Sequence, residues 1–218
     1  MDFILKAGPF LWPIVLCSIV GLAIFLERAR AFRRYRSARG ELVGDVATLT
    51  RGGKLQEAER LCERDGGPVA NVLGTLVRTL DRPKEEREQI VTVSGNRELR
   101  RLERGLRGIA VIARIAPLLG LLGTVVGLVQ AFIAVSTMQG PPDPSVLANG
   151  IWQALLTTVA GLIVAIPAIL SHEWLQSRVD EMAFGMQEAV TEVLAVLEIT
   201  GGQQQDHDRV RSQAHPAG

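Results

Sequence analysis

The chain is 218 residues long, with 47% hydrophobic and 5% aromatic residues and 24 Lys plus Arg against 23 Asp plus Glu. So even a charge balance excludes a nucleic-acid partner or an acidic substrate, and so few aromatics exclude a stacking surface for bases or sugars. The apolar residues gather in three long blocks, which predicts an all-α membrane protein with three transmembrane helices and long helices extending into the cytoplasm. Cys17 lies in an apolar block and Cys62 in a polar helix, so the two occupy different phases and make no disulfide framework.

The first apolar block, Pro9 to Leu26, is about 27 Å long as a helix, enough to cross the hydrocarbon core. A signal peptide carries its positive charge before the apolar region, whereas Arg28, Arg30, Arg33, Arg34, Arg36 and Arg39 all follow this one. That flank stops transfer, and the positive-inside rule then places residues 1–27 with the N-terminus outside and the segment 28–107 in the cytoplasm. Breaks at Gly52-Gly53, Gly66-Gly67-Pro68 and Arg82-Pro83 divide this segment into three or four helices. Leu55, Ala58, Leu61 and Cys62 form one apolar face, and Val69, Val72, Leu73, Leu76, Val77 and Leu80 a second.

From Glu85 to Arg107 the sequence is densely charged and continues without a clear break into the second span, 108–136, so one long helix is expected there. Its charges, Glu98 among them, read as a solvated face with local ion pairs. Arg114 is the one ionisable residue of the second span, and the uncharged stretch from Ile115 to Val135 is about 31 Å of helix. Arg114 is therefore expected at the interface, snorkelling to headgroups, with a part in an ion pathway as the competing role. Residues 137–145 form a short loop with three prolines and no positive charge, which fits the outer face. The third span, 146–171, carries Pro167 near its inner end as a candidate kink. An amphipathic cytoplasmic helix follows over 172–199, and 200–218 has the composition of a disordered tail.

The second and third spans each carry a stripe of small residues. Gly120, Gly123, Thr124, Gly127, Ala131 and Ala134 recur at three- and four-residue steps, and so do Ala154, Thr157, Thr158, Gly161, Ala165 and Ala168. Small faces in lipid mean close helix contact or a narrow lined path. Counting along each helix puts Thr124 about 14 Å from the inner boundary and Thr158 about 18 Å from the outer one, so both hydroxyls come out near the bilayer midplane. Two readings stand. Either the threonines bond back to their own helix and the glycines, Gly120, Gly123, Gly127 and Gly161, serve packing alone, or Thr124, Thr158 and Thr157 line a path for protons or water that Gln153 and Gln130 extend.

The blocks RIAPLLGLLGTVVGLVQAF and GIWQALLTTVAGLIVAIPAIL resemble the second and third transmembrane helices of the MotA/TolQ/ExbB proton channel family. GKLQEAERLCERDGGPVANVL and RELRRLERGLRGIAVIA are similar to its cytoplasmic helices, and three spans resemble an ExbB or TolQ subunit more than a four-span flagellar stator. The resemblance implies a pentamer in the bacterial inner membrane, with the C-terminus cytoplasmic, around a two-copy single-span partner of the ExbD/TolR type that supplies a transmembrane aspartate. It implies proton flow that powers a periplasm-spanning protein of the TonB or TolA type, with Thr124 and Thr158 matching the family's pore threonines. Where several relatives carry glutamate this chain has Gln153, whose amide cannot titrate. None of the three spans contains a carboxylate or histidine within the hydrocarbon core, so a proton relay needs a group from elsewhere.

Enzyme chemistry finds no support. The Cys and His residues are scattered, no cofactor or metal motif is present, and the glycine-rich GLLGTVVG lies inside a span and not between strand and helix. The remaining alternatives are a TolQ-like role in envelope maintenance and a purely structural membrane scaffold.

Overall fold

The computed structural model describes residues 11–36, 39–138 and 144–213. They form seven helices with no strand among the described residues: α1 (Leu11–Arg36), α2 (Arg39–Arg51), α3 (Leu55–Asp65), α4 (Pro68–Arg78), α5 (Lys84–Glu103), α6 (Leu106–Ser136) and α7 (Pro144–Gln213). Three of them, α1, α6 and α7, are long and apolar enough to cross a membrane. Two units result, Met1–Arg30 with Arg104–Gln176 and Ala31–Glu103 with Ser177–Gly218, and α1 and α7 contribute to both.

In the transmembrane unit the buried side chains are small or sit on one stripe: Ile14, Ile109, Ala116, Ala154 and Ala165 are buried, while Leu118, Leu121, Val125, Phe132, Leu155 and Ile166 are exposed. Large apolar groups on the outside suit helices whose outer solvent is lipid, because burying them inside would bring no hydrophobic gain. α1 packs on α6 through glycine. A Cβ on Gly108 would stand 3.2 Å from Ile24 Cδ1, and one on Gly21 would stand 3.5 Å from Ile112 Cδ1.

The second unit is a water-type core built by α2 to α5 and the later part of α7. Val46, Ala58, Cys62, Leu73, Leu76 and Val193 are buried together. Gly66 ends α3 in the left-handed conformation, with φ 64°, and donates its N–H to the Cys62 carbonyl, while Gly67 and Pro68 open α4. These are the breaks that the Gly-Gly-Pro run predicts. Burial, and secondarily the neighbouring Asp65, push the Cys62 thiol up to about 11. The two cysteines are free.

Three expectations are corrected here. The helix read as continuous from Glu85 into the second span is broken between Glu103 and Leu106, where Gly105 adopts φ 94°. A side chain at that angle is strained, and a Cβ would also meet Arg28 Nε at 3.1 Å. Glu98, read as part of a solvated face, is buried and accepts a hydrogen bond from Asn71 Nδ2 at 3.2 Å, with Thr75 and Ser94 bonded 3.0 Å apart along the same α4–α5 seam. α7 runs unbroken past Pro167 to Gln213, so 200–213 is helix where the composition suggested a tail. The proline-rich part of the loop, 139–143, and the residues 214–218 lie outside the described residues, as does Pro9.

Two outcomes follow from this packing. Gly105→Ala should lower stability by about 1–2 kcal/mol through the positive φ alone, read as a lowered midpoint in thermal unfolding by circular dichroism; an unchanged midpoint would contradict a fixed break at this residue. Because the folded thiol of Cys62 titrates above its ordinary value, its contribution is complete below about pH 9 and is lost as pH rises from there to about 11. At roughly 2–3 kcal/mol, the loss should appear as a steeper fall of thermal stability above pH 9 in the native chain than in Cys62→Ala.

Candidate functional site at the seam between the second and third spans

α6 and α7 touch backbone to backbone. A Cβ on Gly120 would lie 3.0 Å from the Thr157 carbonyl oxygen and 3.0 Å from Thr158 Cα, and one on Gly123 would lie 2.5 Å from Thr157 Oγ1. The contact continues in both directions. Gly127 faces Ala154, Gly150 faces Ala131, and Gly161 lies so near the Ala116 carbonyl that an added Cβ would stand 2.6 Å from its oxygen. Glycine is required on both helices because the alternative is a collision with backbone, which cannot rotate away.

Two of the three hydroxyls of the site, those of Thr157 and Thr158, converge on one carbonyl. Thr158 Oγ1 donates to the Gly120 carbonyl of α6 at 3.0 Å, and Thr157 Oγ1 donates to Ala154 O at 2.7 Å with a longer contact to Gly120 O at 3.2 Å. Thr124 Oγ1 donates to Leu121 O of its own helix at 2.6 Å. A backbone carbonyl only accepts, so the hydroxyl proton in each pair is directed at the backbone and the lone pairs are left for other partners. The Gly120 oxygen is also the acceptor that the helical pattern assigns to the Thr124 N–H, which places Thr158 within one turn of Thr124. The two hydroxyls themselves bond different carbonyls of α6, Leu121 O and Gly120 O.

The other residues singled out in the sequence are placed differently. Thr157 is only 3% exposed and lies inside the seam, whereas Thr124 and Thr158 are half-buried at its edge. Gln153 and Gln130 are exposed. Five residues separate Gln153 from Thr158, about 140° around the helix, so the amide does not share the hydroxyl's side. Arg114 is exposed and lies two residues from buried Ala116, on the side of α6 turned away from α7. Gly150 belongs to the contact as fully as Gly161 does, and it stands four residues before Ala154, so one more step of the same period reaches it. The Gly120 carbonyl has no sequence signal at all.

Residues 67–188, which include both halves of this seam, match the MotA/TolQ/ExbB proton channel family. The chain belongs to this family. It is a family of channel subunits and not of enzymes. Similar proteins include a biopolymer transport ExbB homologue of Methanothermobacter thermautotrophicus, 29% identical over 83% of this chain and 64% of that protein, and an ExbB-like protein of Synechocystis, 31% identical over 78% and 68%. The biopolymer transport protein ExbB of Pseudomonas putida is 28% identical over 73% of this chain and 50% of its own length. The chain therefore spans between half and about two thirds of the length of these relatives.

Close packing at Gly161 carries a direct test. Gly161→Ala should push α7 from α6 at a cost of about 1–3 kcal/mol, read as a lowered midpoint in thermal unfolding, and an unchanged midpoint would show that the helices do not meet here.

Proposed function

We propose that this family member is a proton-channel subunit of an inner-membrane motor that couples the proton motive force to a periplasm-spanning protein, in the manner of ExbB. The observation that carries this reading is the pairing of Thr124 and Thr158, two half-buried hydroxyls within a turn of each other on a glycine-spaced seam. The relatives' names, which are those of biopolymer transport proteins, favour an ExbB role over an envelope-maintenance one. Orientation follows from the arginines after the first span, with the N-terminus periplasmic and the long polar segments cytoplasmic.

The spans hold no carboxylate or histidine between Ile115 and Ser136 or between Val146 and Leu170. The proton carrier is then an aspartate on the single span of an ExbD/TolR-type partner, with five copies of this chain around it. Each threonine serves both states of that acid. Its lone pairs accept from the protonated carboxyl while its own proton stays on the backbone carbonyl, and it turns to donate when the acid is ionised. Turning leaves no orphan, because Gly120 O and Leu121 O keep the N–H bonds of their own helix. Movement of the partner helix between threonines of successive subunits converts this exchange into rotation or rearrangement.

Co-reconstitution with the single-span partner in liposomes tests the proposal by pH-gradient-driven proton flux. Thr158→Val, which keeps the shape and removes the hydroxyl, should reduce flux at least about tenfold, the scale of one lost hydrogen bond to a charged group, while Thr158→Ser retains most of it. Full flux in correctly assembled Thr158→Val complexes would sink the reading in favour of a scaffold whose small faces only pack.

A further inference from the structure

Where α1, α6 and α7 meet, the transmembrane unit forms a half-open cavity of about 140 Å³. Its wall is apolar, with Gly21 and Phe25 from α1, Ile109 and Ile112 from α6, and Val164 and Ala168 from α7. It runs from mid-span, at Cys17 and Val164, to the arginine-bearing ends of the helices, where Phe25 precedes Arg28 by one turn and Ile109 follows Gly105 by one turn. Water held in such a space needs two to four polar partners. Ser18 and Ser171 are the hydroxyl residues in the wall, and the remaining surface asks for hydrocarbon.

At that end a cation is laid in place. The Arg28 guanidinium rests over Gly105, where a Cβ would stand 3.1 Å from Nε and 3.6 Å from Nη2, so the absence of a side chain is what admits it. Among the described residues no carboxylate lies within ion-pair distance of Arg28. Beside it Phe25 and Trp174 form an edge-to-face pair with ring centres 5.9 Å apart, an aromatic arrangement suited to headgroup depth. Hydrocarbon space ending at an unpaired arginine matches the two parts of an anionic phospholipid. A second copy of this chain fits less well, because Arg28, Arg30, Arg104 and Arg107 of this unit outnumber Glu27 and Glu173 near the same helix ends and would meet their own excess.

We propose that this cavity seats one anionic phospholipid, with an acyl chain between α1, α6 and α7 and the phosphate on Arg28. The site lies on the α1 side of the bundle, and the proposal does not rest on the channel reading.

Native mass spectrometry of the full-length protein in mild detergent, offered phosphatidylglycerol and phosphatidylcholine with the same acyl chains, reads it directly. The native chain should retain phosphatidylglycerol about fivefold better, the scale of one arginine at a lipid surface. Arg28→Gln should lose the preference and keep the binding. Gly21→Leu should lose both lipids, since a Cβ there meets only Ile112 at ordinary contact distance and the longer side chain enters the cavity; Leu22→Trp serves the same purpose if that variant does not fold. Equal retention of the two lipids by the native chain, no retained lipid, or unchanged retention in the filled variants would overturn the proposal. So would capture of a second copy at Cys17 by a short bis-maleimide, which would make the cavity a subunit contact.

Discussion

The close approach of α6 and α7 is the constraint on which the transmembrane unit depends. Between two helices in lipid no water is released, so association rests on dispersion and on hydrogen bonds. Both are present. The contact extends from Ala116 against Gly161 to Ala131 against Gly150, about 22 Å along the helix, and at its centre α7 donates a hydroxyl to the Gly120 carbonyl. A contact so long fixes rotation about each axis as well as separation. Once those faces meet, Thr124 and Thr158 must come to the edge of the seam, Thr157 must go inside it, and Gln153 must lie well round the helix.

Anchoring hydroxyls on backbone carbonyls has a mechanistic side that spacing alone does not disclose. A threonine with its proton on a carbonyl of a helix is not a spent donor, because that carbonyl retains its helical N–H and tolerates the loss of a second bond. The exchange from carbonyl to carboxylate therefore costs little beyond the bond itself. In the proposed function this allows one side chain to meet an acid in either protonation state without leaving a polar atom unpaired in hydrocarbon, where such an atom is expensive. Glutamine or serine in the same place would add rotamer freedom. The β-branched side chain holds its hydroxyl in few positions.

The three spans, the Gly-Gly-Pro break and the small-residue stripes were legible because each is a local pattern: apolar length, turn chemistry and helical period. The break at Gly105 was not. Charge and apolar residues continue across it, and a lone glycine inside a helix costs only about 1 kcal/mol, so nothing in the string distinguishes a tolerated glycine from one at φ 94°. Glu98 was misread for a related reason. Its neighbours Arg97, Arg100 and Arg101 are exposed, and only the position of α4, which brings Asn71 to it, makes one carboxylate of that run a buried one. For the candidate site, the threonines were visible by type and spacing, but the atom that gathers Thr157 and Thr158 is a main-chain oxygen that every residue possesses.

Gln153 bears on how the seam is used. An acid at this position in relatives would suggest that the chain carries its own proton-binding group, and its replacement by an amide would then remove the function. The geometry separates the two questions. Gln153 is exposed and about 140° from Thr158, so it is not one of the groups organised by the Gly120 carbonyl, and a change from acid to amide there leaves the threonine pair as it is. In the proposed function, a path centred on Thr124 and Thr158 takes its ionisable group from another chain, and the bare span sequence and the half-buried state of those two hydroxyls are compatible with one arriving at the seam's edge.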